Sequence, residues 1–157
     1  MHPLRRTIGI GLAAGLLLLV AAGPASAAAP QVYTWSNDVD TPYFDCGSFE
    51  AHGVWSISHV LTIYVDGAGT PIRDREKVEF TGAFVNPVTG ASIADSGQII
   101  WFDTLDADGN YVTTMQNVVR KSAYLHAAGR TDFQTFEHHG VDRFDANVSA
   151  ACAALGA

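Results

Sequence analysis

The chain has 157 residues, 48% of them apolar, with 9 Lys and Arg against 16 Asp and Glu and a formal charge of −7. That length suits one domain with its own core. Its acidity excludes the readiest electrostatic partners: Arg73, Arg75 and Lys77 are interleaved with Asp74, Glu76 and Glu79, so no basic stripe is available for a phosphate backbone or an anionic bilayer, and no nucleic-acid partner is expected.

Residues 1–27 read as a secretory signal. Arg5 and Arg6 form a positive start, an apolar and small-residue run occupies 8–23, and Pro24-Ala25-Ser26-Ala27 ends in the small-x-small pattern of a cleavage site. The run is shorter than the roughly 20 apolar residues of a membrane anchor and carries Gly9, Gly11, Gly15 and Gly23. Cleavage is therefore expected, with secretion and no stable membrane insertion afterwards. Removing Arg5 and Arg6 leaves 7 basic residues against 16 acidic ones, a formal charge of −9.

Segment 28–45 is extended and polar, with Pro30 and Pro42 among Tyr33, Trp35, Tyr43 and Phe44, and reads as an N-terminal arm ahead of a domain at 46–157. Runs at 49–59 and 60–65 are β-rich; the first places Trp55 and Ile57 two apart. Asp66-Gly67-Ala68-Gly69 supplies a tight reversal. In the run 71–85, Val78 and Phe80 share one face and Glu79 and Thr81 the other. Asn86-Pro87-Val88-Thr89-Gly90 closes that run, and 93–102 ends in Ile99-Ile100-Trp101-Phe102, apolar on both faces.

A reversal at Asp106-Ala107-Asp108-Gly109-Asn110 precedes strand-like stretches at 111–120, 122–127 and 131–137, and His138-His139-Gly140 reads as a turn. The period then changes. Over 141–155, Phe144, Val148, Cys152 and Leu155 recur at helical spacing in an Ala-rich stretch, which predicts one amphipathic helix. Seven or eight strands with reversals about every ten residues, and no interleaved helices, predict an all-β fold: an antiparallel up-and-down barrel, with a β-sandwich as the alternative.

The two cysteines, Cys46 and Cys152, bracket the strands. In an exported chain they are expected to form a disulfide that clamps the helix to the first strand; a free or redox pair would favour closer spacing.

The succession Asp66-Gly67-Ala68-Gly69-Thr70-Pro71, Phe80-Thr81-Gly82, Val85-Asn86-Pro87-Val88-Thr89-Gly90, Ala128-Gly129-Arg130 and Cys152-Ala153-Ala154-Leu155 resembles a group of small exported proteins of high-GC Gram-positive bacteria. In that group an N-terminal cysteine, a DGAGNPVR-like turn, a TNPxTGKS-like turn and a C-terminal CAAL recur. The resemblance covers 46–155 and implies export and a barrel-like β domain, without an activity. The chain departs from the pattern after Tyr111, where 118–126 lacks a glycine-rich turn.

No catalytic motif, metal signature or cofactor fingerprint stands out. Asp103, Asp106, Asp108 and Asn110 with Gly109 look like part of a calcium loop, but the EF-hand register puts Met115 where a bidentate glutamate belongs, so a hairpin is the better reading. Adjacent His138 and His139 would point to opposite faces of a strand and could share a metal only from a loop; no metal site is expected. His59 is in register with Trp55, Ile57, Leu61 and Ile63, hence a candidate interior group, and Glu79 and Glu137 flank aromatics in the same way.

Two function classes follow. The first is non-enzymatic binding of a small apolar ligand inside the barrel, lined by Trp55, Phe80, Phe84, Trp101 and Tyr111 with His59 as a polar group. The second is a barrel isomerase or cyclase that holds a hydrophobic substrate in shape, with His59 or a glutamate assisting. A third reading, an envelope-associated interaction protein or secreted inhibitor, would use 28–45 or 99–102 and no cavity. The two cavity readings differ in whether an unpaired titratable group stands beside the cavity.

Overall fold

The computed structural model describes residues 28–156; the signal sequence read at 1–27 lies outside them. Seven strands, β1 (Gln31–Asp45), β2 (Glu50–Val65), β3 (Pro71–Val85), β4 (Ser92–Leu105), β5 (Tyr111–Ser122), β6 (Ala127–Asp132) and β7 (Glu137–Asp142), precede one helix, α1 (Phe144–Leu155). The strands form a single sheet in chain order, and every neighbouring pair is antiparallel.

Three reversals share one chemistry. The Asp66 carboxylate accepts hydrogen bonds from the amides of Ala68 and Thr70, at 2.8 and 2.9 Å, and the Asp106 carboxylate accepts from Asp108 and Asn110, both at 2.9 Å. Asn86 does the same for Val88 and Thr89. Gly69 and Gly109 take φ of 89° and 82°, a left-handed conformation that costs glycine nothing. The calcium-like cluster is therefore a hairpin loop whose central carboxylate is engaged by its own backbone.

Strand boundaries differ from the sequence reading in four places, one being the stretch read as a strand at 122–127, where 123–126 is a loop between β5 and β6. The segment read as an arm is the edge strand β1, paired with β2 from Gln31↔Ile63 to Asp45↔Glu50, so its alternate residues belong to the sheet faces. Runs 49–59 and 60–65 form one continuous strand. Near the C-terminal end, the turn falls at 133–136 and His138 and His139 lie in β7, where Thr131↔His138 and Arg130↔His139 pair across the ladder.

The sheet is strongly curled. Between β1 and β5 a flat sheet would place about 19 Å, yet Arg120 on β5 donates a hydrogen bond from Nη1 to the Tyr43 hydroxyl on β1 at 3.0 Å. Glycines on the inner face permit this curvature. Trp55 stands opposite Gly82 and Phe80 opposite Gly97, and a Cβ on Gly97 would come within 2.6 Å of Phe80 Cζ. A register shift between Pro42 and Phe44 makes Tyr43 an extra residue, and both Tyr43 and Phe44 meet Phe84 on the inner side. No pairing joins β1 to β7 among the described residues, so the sheet is a single unclosed up-and-down sheet and the closure that the expected barrel requires is not present; nor is it divided into the two sheets of a sandwich.

One end of the curled sheet is closed by α1. Its alanines favour helix, and its stripe of Phe144, Val148, Ala151, Cys152 and Leu155 packs on Phe44, Phe84 and Ile93. Asn86 Nδ2 donates to the Leu155 carbonyl at 3.1 Å, satisfying one of the acceptors that a helix end leaves free. The Cys46–Cys152 disulfide, expected from the sequence, ties the helix to the turn that directly follows β1 across 106 positions.

Candidate functional site

The ladder registers build the inner face row by row. Beyond the Gly53–Phe84–Ile93 row, on which the helix packs, runs Trp55–Gly82–Asp95–Ser122, then Ile57–Phe80–Gly97–Arg120–Ala127, then His59–Val78–Ile99–Val118–Gly129, then Leu61–Glu76–Trp101–Gln116–Thr131–His138. The two middle rows are mainly apolar, and each contains a glycine. Where no side chain fills the space, a cavity of about 200 Å³ opens, walled by Ile57, Val78, Ile99 and Val118, with Trp55 and Phe80 towards the helix. A second hollow of about 260 Å³ shares Arg120, Tyr43 and Val118 with the first and continues to Gln116, Thr131, His138 and Asp142.

Among the described residues, Arg120 is the only charged one lining the first cavity. Its side chain is 12% exposed and that of its partner Asp95 is 0% exposed. Nε donates to Asp95 Oδ1 at 3.0 Å and Nη2 to Oδ2 at 2.9 Å, the forked geometry in which a guanidinium best matches a carboxylate. Asp95 also accepts from Trp55 Nε1 at 2.8 Å. Five aromatic rings, of Tyr43, Trp55, Phe80, Phe84 and Phe144, have their centroids between 5.1 and 5.7 Å from the guanidinium carbon. Burial acts to lower the Arg120 pKa, but the hydrogen bonds to Asp95 and Tyr43 outweigh it and hold the pKa above the ordinary arginine value. The residue is a permanent cation whose counter-charge is built in. Beside Asp95 in the same row, the Ser122 hydroxyl is buried without a hydrogen-bond partner among the described residues.

The sequence candidates divide into two groups. Trp55 and Phe80 line the cavity, and fully buried Phe84 supports its aromatic end from behind. His59 and Trp101 share the inner face but stand outside the first cavity. His59 contacts Glu76 at 2.8 Å through Nδ1 and Asn37 at 3.0 Å through Nε2, and stacks on Trp35 with centroids 4.6 Å apart; Trp101 packs on Phe133. Tyr111 begins β5 and is 67% exposed, away from the others. Glu79 and Glu137 also lie away from the cavity: Glu79 pairs with Lys77 at 2.9 Å, which holds its carboxyl below the usual range, and Glu137 is exposed.

Sequence reading missed Arg120, Asp95 and Tyr43. Period-two alternation puts Arg120 on the same side as Val118 and Ser122, a usable signal once Val118 is known to face inward. Nothing local to Asp95 or Tyr43 marks them as its partners, since they are 25 and 77 positions away.

Comparison with protein-family models, with curated proteins and with solved structures found no match for this chain.

Proposed function

We propose that this chain is an exported, non-enzymatic module that holds one small apolar ligand in the concavity of its curled sheet. The cavity between Trp55, Phe80 and the Ile57, Val78, Ile99 and Val118 walls carries this reading. Its roughly 200 Å³ compares with the ~150 Å³ apolar cavity that admits benzene in another protein. One ring with a short substituent is the matching size. A curled sheet whose β1 and β7 edges are not paired gives such a molecule a route in.

Binding is favoured over catalysis by how the polar groups are engaged. Arg120 is paired with Asp95, His59 is occupied by Glu76 and Asn37 away from the cavity, and Glu79 and Glu137 lie away from it. Export rests on the pattern of residues 1–27, is compatible with the Cys46–Cys152 disulfide, and accords with the resemblance to small exported proteins of high-GC Gram-positive bacteria. No helix among the described residues is long and apolar enough to cross a membrane.

The test is native mass spectrometry of the unreduced protein recovered from the culture supernatant of its own host, alongside Val118→Trp, which fills the cavity. A co-purifying small molecule that Val118→Trp loses supports the reading. A bare wild-type chain that also takes up no apolar probe overturns it.

A further inference from the structure

Resting on the binding role proposed above, we infer that the ligand is an uncharged ring compound bearing a hydrogen-bond acceptor of the carbonyl type, and that Arg120 is the residue that recognises that oxygen. Guanidinium has five N–H donors. Asp95 takes Nε–H and one hydrogen of Nη2, and Tyr43 takes one hydrogen of Nη1. One N–H on each terminal nitrogen thus has no partner among the described residues, on a side chain that lines both the apolar cavity and its polar extension. A buried donor without an acceptor is costly, and a ligand oxygen removes that cost.

Charge selects against the alternatives. Asp95 already neutralises Arg120, so a carboxylate would enter an apolar space as an uncompensated anion beside a buried aspartate, with Asp142 lining the adjoining hollow. The acidic chain adds repulsion over longer range. A cationic ligand would need the faces of Tyr43, Trp55, Phe80, Phe84 and Phe144, which surround Arg120 itself. A hydrocarbon fills the volume but leaves the two N–H groups unmet. Discrimination of this kind arises because it is the protein's own donors that go without a partner.

The experiment titrates the wild-type protein, disulfide intact, with four probes of similar size: acetophenone, isopropylbenzene, benzoate and phenyltrimethylammonium. Binding is followed by the indole Nε1–H resonance of Trp55, which is bonded to Asp95 beside the cavity. Acetophenone is expected to bind about fivefold more tightly than isopropylbenzene, the size of one net hydrogen bond. It should exceed both ions by about tenfold or more. Val118→Trp should abolish the response to all four. Benzoate or the ammonium binding as well as acetophenone would overturn the inference while leaving an occupied cavity. Isopropylbenzene matching acetophenone would remove the role of Arg120 in the same way. If no probe binds, the cavity is not a ligand site and the function proposed above falls with the inference.

Discussion

Replacing Arg120 with Met removes the cation from a carboxylate that has no solvent exposure of its own. Asp95 would keep only Trp55 Nε1 of its present donors, having lost contacts at 2.9, 3.0 and 3.2 Å. Removing one member of a buried pair generally costs about 3–5 kcal/mol. With an unfolding entropy of about 2.1 cal/mol/K per residue over about 130 residues, that corresponds to a Tm lower by roughly 11–18 °C. Asp95→Asn should cost a comparable amount, since it strands Arg120. The double variant Asp95→Asn/Arg120→Met keeps an acceptor for Trp55 and leaves no unpaired charge, and should lose only about 1–2 kcal/mol. Urea denaturation of the four proteins closes a double-mutant cycle, in which a coupling of at least 2 kcal/mol is expected. A coupling below about 0.5 kcal/mol would mean that the two charges are solvated independently, and the description of a dry, paired site would be refuted.

Cys46→Ser with Cys152→Ser should lower stability by up to about 4–5 kcal/mol, the loop-closure value for a bridge spanning 106 positions, as read from denaturation midpoints; a loss under 1 kcal/mol would show that the helix docks without it. Gly97→Val would drive a side chain into Phe80 and the backbone oxygen of Val119, so a destabilisation of about 1–3 kcal/mol and a displaced Phe80 are expected, whereas unchanged thermal melting would contradict the close fit. Asp74, opposite Asp103 across the β3–β4 ladder, has its pKa raised to about 6 by burial first and then by the Asp103 and Glu76 carboxylates. Stability from protonated Asp74 is present below about pH 3.8 and is lost as pH rises through about 6. Asp74→Asn should accordingly lose less stability than wild type between pH 4 and pH 7, by a small margin because the group is partly solvated; an identical pH profile of Tm would remove the argument.

What the sequence by itself determined was local or strongly constrained. Asp66, Asn86 and Asp106 mark reversals because each side chain bonds the backbone two to four residues on, within its own loop. Alternation put Val78 and Phe80 on one face because a strand has a period of two, and the spacing of Phe144, Val148, Cys152 and Leu155 marked the helix because each lies about a turn from the next. Two cysteines in the sequence left one intramolecular pairing.

Only the tertiary structure decided the rest. Residues 31–45 of the segment read as an arm form a strand because β2 offers them a ladder, which the segment's prolines and exposed polar residues do not announce. The sheet stays open because curvature set by the inner glycines and the Tyr43 bulge brings β1 side chains to β5 without bringing the β1 backbone to β7. Arg120 lies inside because Asp95 and five aromatic rings, that of Tyr43 among them, converge on it from distant parts of the chain. Burial of a charge depends on partners fixed by register across several strands, and no local pattern carries that information.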